Sequence, residues 1–285
     1  MNRSTLMSLT SCLLMTSCAK EMDPPSRIEE LRLLAVEADQ PFSLPGDEVK
    51  LTALAIDPAQ RTLSWGWGLC IDAASSQAVD CLHTLQFESL TIGTNLTTHS
   101  LVVPETNAPS VGVAVVVCPG TIAKGTTATM PIACLDEHGV ALDISAFELG
   151  LKRIYRRDPV LNHNPVITSI LWDGQPWAEG EIKRDTCTRM KDAACDELAE
   201  HTLSVLSPEA AEASTDASGA AIKETAVVQF FATGGKFEDE VRFYDDAHSK
   251  WRARVEDRGK LQTFWFVVRD DRGGVSFTSR QAQTP

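Results

Sequence analysis

Residues 263–280 read TFWFVVRDDRGGVSFTSR, and this stretch decides the fold. The apolar run Phe264-Trp265-Phe266-Val267-Val268 stops at Arg269-Asp270-Asp271, Gly273-Gly274 supply a tight connection, and Val275 to Arg280 return. Two extended segments joined by a charged, glycine-containing turn read as a β-hairpin. The same pattern recurs upstream. Ala226 to Thr233 (AVVQFFAT) ends at Gly234-Gly235, and Val111 to Cys118 (VGVAVVVC) ends at Pro119-Gly120 and matches TFWFVVR in role. Val49, Leu51, Ala53 and Ala55 alternate at period two between Pro45-Gly46-Asp47 and Asp57-Pro58, the signature of a half-buried strand. Shorter candidates lie at Thr62 to Trp67, Leu101 to Pro104, Leu149 to Arg157, Leu203 to Leu206, Val241 to Tyr244 and Trp251 to Val255.

Short strands with turn signals and no β–α alternation predict an all-β chain of two tandem β-sandwiches, over 28–157 and 166–283. Residues 158–165, rich in Pro and Asn, read as a linker between them. Residues 207–224 are rich in Ala, Ser and Glu and read as an insertion in the second unit, with a short helix from Pro208 to Ala213.

Among 285 residues, 39 acidic side chains oppose 26 basic ones, a formal charge of −13. This balance excludes broad attraction to nucleic-acid phosphates or anionic lipid heads. At 43% hydrophobic and 23% charged, the composition is that of a globular chain, neither disordered nor polytopic.

The N-terminus reads as an address. Arg3 precedes the short apolar stretch Leu6 to Met15, too short for the ~20 residues of a membrane-spanning helix. Met15-Thr16-Ser17-Cys18 then resembles the bacterial lipobox, with Met15 where Leu is usual; Leu9 to Cys12 is a second match, behind a shorter apolar stretch. The reading is a lipoprotein signal peptide over 1–17, acylation of Cys18, and a polar tether over 18–27, sorted to the outer membrane. An ordinary cleaved signal is the alternative. Of eight cysteines, Cys12 leaves with the signal and Cys18 takes lipid. The even remainder in an exported chain reads as three disulfides between sequence neighbours, Cys70–Cys81, Cys118–Cys134 and Cys187–Cys195. Zinc is the rival, with Cys134 and His138 as one closely spaced pair.

No nucleophile elbow, His-Glu-x-x-His or phosphate loop occurs, and the six histidines are scattered as loop or surface residues. No cofactor or metal is expected. Glu238-Asp239-Glu240, Asp245-Asp246 and Asp270-Asp271 are the residues that could gather calcium, against the plainer reading as solvated turns. Trp65/Trp67 and Trp172/Trp177 read as core side chains, with a sugar- or peptide-binding surface as the alternative.

The 264–275 hairpin, the strand Val49 to Asp57 after Pro45-Gly46, and Trp251-Arg252-Ala253 resemble bacterial immunoglobulin-like and PKD-like modules. Lipobox plus tandem sandwiches is similar to surface lipoproteins of Gram-negative bacteria. That resemblance implies a fold and an address, and no reaction. The function expected is a non-catalytic, membrane-anchored binding or assembly module. A passive spacer and a hydrolase with dispersed catalytic residues are the alternatives. Its expected partners are the membrane, through the lipid, and another envelope or extracellular protein or a glycan. The contact surface expected lies in the connections 234–251 and 269–274, with Arg242, Tyr244, Lys250 and Trp251 as anchors, because Tyr, Trp and Arg are the types that most often anchor interfaces.

Overall fold

The computed structural model describes residues 24–70, 81, 86–127, 130–156, 162–191, 194–208, 210–215 and 220–285. The first unit holds β1 (Arg32–Ala38), β2 (Phe42–Ser43), β3 (Glu48–Ile56), β4 (Ser64–Cys70), β5 (Thr91–Thr94), β6 (Thr98–Val102), β7 (Ser110–Cys118), β8 (Thr121–Thr127), β9 (Met130–Leu135) and β10 (Glu148–Arg156). The second opens with β11 (Ser169–Trp172), β12 (Gln175–Pro176), β13 (Ile182–Arg184), β14 (Cys187–Lys191), β15 (Ala194–Leu198), β16 (Glu200–Leu206), β17 (Ala213–Thr215) and β18 (Ala221–Lys223). It closes with β19 (Ala226–Ala232), β20 (Lys236–Phe237), β21 (Val241–Phe243), β22 (His248–Arg252), β23 (Leu261–Asp270) and β24 (Val275–Gln283).

Each unit is a pair of sheets around a core. Sheet β1-β3-β6 packs on β2-β10-β7-β4-β5, and sheet β12-β11-β16-β22-β20 packs on β13-β24-β23-β19-β21. In both units a short edge strand, β2 or β13, runs parallel to the last strand, β10 or β24. Lettered in chain order, A-B-E opposes G-F-C twice, which is the immunoglobulin-type sandwich order. The alternating Val49, Leu51 and Ala53 meet Trp65, Trp67 and the odd-numbered valines of β7 in the first core. In the second, Trp172–Trp177 and Trp251–Phe264 meet edge to face, with both pairs of ring centroids 4.8 Å apart.

Alternation fails in β7 and β23 because each is covered on both faces. In β7, Val111, Val113, Val115 and Val117 point into the sandwich. Ala114, Val116 and Cys118 point the other way, under the β8–β9 hairpin with Ile122, Ile132 and Cys134. The Cys118–Cys134 disulfide, Cα–Cα 5.7 Å, fastens that hairpin to the strand it covers. In β23, Phe264, Phe266 and Val268 fill the second core, while Trp265 and Val267 pack against Ile28, Leu34 and Ala35 of the first unit. A register shift at Leu34 in β1 puts the consecutive Leu34 and Ala35 into this shared cluster and returns Val36 and Ala38 to the first core.

Polar bonds frame the apolar contact. The Arg269 guanidinium donates to the Leu34 carbonyl and the Lys152 ammonium to the Gly273 carbonyl. Asn164 donates to Ala38 O at 2.7 Å and accepts from Val275 N–H at 2.9 Å.

Three expectations change here. Asn162, His163 and Asn164, expected in a linker, bond to both units or between their elements. The end of the expected tether, with Ile28 after it, lies along the end of β19: Ala232 N–H donates to Ser26 O and Ile28 N–H to Ala232 O, both at 2.9 Å. The described part of 207–224 forms the β17–β18 hairpin and not a helix over Pro208 to Ala213. Residues 1–23, with Cys18, lie outside the described residues.

Trp265 is buried between the units. Truncating a buried aromatic costs about 3–5 kcal/mol, so Trp265→Ala should lower the unfolding free energy by that order in urea titration. A loss under about 1 kcal/mol, the size of an ordinary substitution, would show that the contact contributes little.

Candidate functional site

The structure separates the four expected anchors. Trp251 is fully buried at 0% exposure, and its indole N–H donates to Gly234 O at 3.0 Å. It is a core residue and is corrected as an interface anchor. Gly235 belongs to the same packing, since at φ +74° a Cβ there would sit 2.4 Å from the Trp251 ring nitrogen. Tyr244 is half-buried against the second core. Arg242 is held by Asp239 at 3.0 Å and by Asp246. Lys250 is exposed and pairs with Glu200 at 3.2 Å. The turn 269–274 is not a free surface either, because Arg269 and Gly273 bond to the first unit and Arg272 lies 5.1 Å over the Phe42 ring.

What the stretch exposes instead is β21. Val241 and Phe243 stand 51% and 61% exposed on the edge of the β13-β24-β23-β19-β21 sheet. Phe243 pairs with Val227, one rung from the Ala226–Asp270 pair and at the opposite end of β19 from Ala232 and Ile28. The exposed edge therefore runs from the middle of β19 toward its Ala226 end, away from Ala232 and Ile28. The apolar residues of VRF carried this signal in the sequence, but aromatic type alone pointed to Trp251.

The acidic candidates are spread and engaged. Asp239 and Asp246 pair with Arg242, and Asp270 accepts from the N–H groups of Arg272 and Gly274 and from Asn162. Among the described residues no cluster of three or more His, Cys, Asp or Glu is placed to hold a metal ion. Cys134 is a disulfide partner, so it is no thiolate ligand beside His138. All three neighbour pairs are bridged, with Cα–Cα 5.6, 5.7 and 5.7 Å. The paired tryptophans Trp65/Trp67 and Trp172/Trp177 are buried in the two cores.

Among the described histidines, His201 departs furthest from the loop or surface role expected, and His99 on β6 is half-buried and stacked on Trp67. His201 on β16 is buried against Trp172, ring centroids 4.2 Å apart. Its Nδ1 meets Asp173 Oδ2 at 2.7 Å and its Nε2 meets Asp185 Oδ1 at 2.9 Å. Asp173-Gly174, both at positive φ, form the turn that carries the first carboxylate. Burial works against charging the ring, but hydrogen bonds and charge from the two carboxylates outweigh it and raise its pKa above the ordinary value. With both nitrogens on carboxylates, the ring offers no free lone pair to a substrate.

The opposite case sits between the units. A cavity of about 330 Å³ is bordered by β1, β10 and the β23–β24 turn. Lys152 lines it, and burial followed by the charge of Arg269 lowers its pKa to about 8. The carboxylates of Asp270 and Glu37 act in the opposite direction and do not outweigh the burial. Glu37 nearby is held above the usual carboxylate range, mainly by burial.

No family model and no curated protein matches the chain. Among solved structures it is similar to the D0-D1 domain of intimin, at 11% identity and TM-score 0.23, over 88% of this chain and 99% of that one. It is similar to the human desmocollin-1 ectodomain at 14% and 0.23, over 87% of this chain and 34% of the other. A Porphyromonas gingivalis protein of unknown function aligns at 9% and 0.21, over 89% and 99%. TM-scores this low define no shared fold. The class, a tandem immunoglobulin-type β-sandwich chain, rests on the strand order above.

The two buried bases give pH dependences of opposite sign. The His201 contribution is fully present below the unfolded histidine pKa of about 6.5 and is lost as pH rises through the raised folded value. Lys152 binds its proton less tightly folded than unfolded, so between about 8 and 10.5 stability rises with pH. Chemical denaturation across pH should show wild type losing stability relative to His201→Gln above neutrality. It should also show wild type gaining on Lys152→Met above pH 8. Parallel profiles would contradict both assignments.

Proposed function

We propose that the chain is a non-catalytic envelope lipoprotein, anchored to the outer membrane through acylated Cys18, that binds a protein or glycan partner through its second unit. The observation that carries this reading is the pairing of a fixed two-sandwich body with an exposed apolar edge, Val241 and Phe243, on either side of the ion-paired Arg242. Rigid frames with exposed aromatic and arginine side chains are what binding modules use. A β-edge of only three residues is short enough to avoid indiscriminate strand pairing, so side chains and not an open ladder would set specificity.

The non-catalytic part draws support from His201, whose nitrogens are both occupied, and from the absence of a nucleophile motif in the sequence. The passive spacer remains the second reading, favoured by the apolar joint that fixes one sandwich to the other. A binder and a spacer differ in whether β21 has a partner.

Two measurements test the proposal. Mass spectrometry of membrane-fraction protein should find the Cys18 peptide lipid-modified, and a soluble product starting elsewhere would contradict the anchor. The mature chain should capture a discrete partner from envelope extract, and Val241→Ser/Phe243→Ser should abolish that capture without changing the fold. Equal recovery by both proteins would remove β21 from the account, and turnover of an ester, glycoside or peptide substrate would overturn the non-catalytic assignment.

A further inference from the structure

We propose that the cavity between the two units is a binding site for a small organic monocarboxylate, held by the Lys152 ammonium and the Arg269 guanidinium. The site is independent of the Cys18 anchor and of the β21 edge.

Three elements wall the cavity. β1 contributes Leu33, β10 contributes Lys152 and Tyr155, and the β23–β24 hairpin contributes Arg269, Asp270 and Val275, around a space of about 330 Å³. That volume is within the range of small-molecule sites. The hairpin turn closes the space by close backbone approach. Gly273, at φ +96°, packs against Tyr155, where a Cβ would sit 2.9 Å from the ring, and it presents its carbonyl to the Lys152 ammonium.

The charges in the cavity are those of a site that lacks its anion. A buried charge is ordinarily paired with an opposite one. Lys152 is 5% exposed, and its hydrogen bond goes to the Gly273 carbonyl. Arg269 donates to Gln229 Oε1 at 2.8 Å and to the Leu34 carbonyl. Every acceptor described for these two cations is a neutral oxygen. They also repel one another: the charge of Arg269 acts on the ammonium more strongly than that of either Asp270 or Glu37. The two carboxylates are committed elsewhere or disfavoured. Asp270 accepts from the N–H groups of Arg272 and Gly274 and from Asn162, and burial holds Glu37 above the usual carboxylate range. With all of these counted as ionised, Lys152, Arg153 and Arg269 oppose Asp270 and Glu37, which leaves one positive charge in excess. One further negative charge balances that count, which selects a monoanion over a sulfate or phosphate dianion. Leu33, Tyr155 and Val275 on the remaining wall suit a short hydrocarbon tail. A carboxylate here would give the ammonium, with its three N–H donors, a charged acceptor beside the Gly273 carbonyl.

Isothermal titration of the mature chain with hexanoate tests the site, with hexanamide and sulfate as the neutral and dianionic comparisons. Hexanoate should bind at one site at pH 7, and both comparisons should bind at least about tenfold more weakly, the order expected for losing a charged hydrogen bond. The bound carboxylate should hold the proton on Lys152. In the free chain that ammonium titrates at about 8, so hexanoate affinity should fall about tenfold from pH 7 to pH 9. At pH 8 about half a proton should be taken up per carboxylate bound. Lys152→Met should lower hexanoate affinity at least about tenfold and remove the pH dependence. Apolar replacement of a buried charge is often neutral for stability, and a thermal melt of the variant checks its fold. The ligand comparisons and the pH series use the wild-type chain and do not depend on that variant. No binding of hexanoate at millimolar concentration would overturn the site. So would hexanamide or sulfate binding as tightly as hexanoate, or an affinity unchanged between pH 7 and pH 9. Failure of Cys18 acylation or of partner capture by β21 would leave it standing.

Discussion

The fold depends on one constraint: β23 must be covered on both faces. Its sequence leaves no polar face, because Phe264, Phe266 and Val268 occupy one phase of the alternation and Trp265 and Val267 the other. Exposing either phase would place large apolar area in water at roughly 25 cal/mol per Å². The second unit's own sandwich covers the first phase, and β1 of the first unit covers the second. The bulge in β1, the Asn164 bridge and the Arg269 bond to Leu34 are the adjustments that let a strand of one sandwich serve as the cover of another. The first unit solves the same problem with its own chain, laying the β8–β9 hairpin over β7 and securing it with Cys118–Cys134.

Much of this was legible in the residues. Period-two alternation placed β3, turn residues placed the ends of β7, β19 and β23, and sequence proximity placed the three disulfides. The unbroken runs VGVAVVVC and TFWFVVR read as apolar strands, and the cover on both faces that accounts for their lack of alternation came only from the structure. They could not announce what supplied the second cover, since that depends on which distant segment docks. For the same reason 162–165 read as a linker: asparagines are as apt to bridge buried backbone groups as to solvate a turn, and only the meeting of Ala38 with Val275 distinguishes the cases.

The site was less legible, and for a local reason. Residue type nominated Trp251, yet in β22 Ser249 and Trp251 face inward while His248, Lys250 and Arg252 face out. Alternation outranks aromatic character there. Phe243 sits on the solvated phase of β21 and is the exposed aromatic that type alone passed over. His201 was unreadable because its partners, Asp173 and Asp185, come from two other elements, 28 and 16 residues away. Composition also misdirected the 207–224 insertion. Ala and Glu favour a helix, but a segment this short has little intrinsic helical stability and paired as β17–β18 instead.

Because β1 belongs to the first core and to the shared cluster at once, the two sandwiches should tumble as a single body, with the chain ends and the β21 edge at fixed positions on it. Backbone residual dipolar couplings measured separately for the two units test this directly. Both sets should fit one alignment tensor, of the same magnitude and orientation. Two different tensors, as from domains moving independently about residues 158–165, would contradict it.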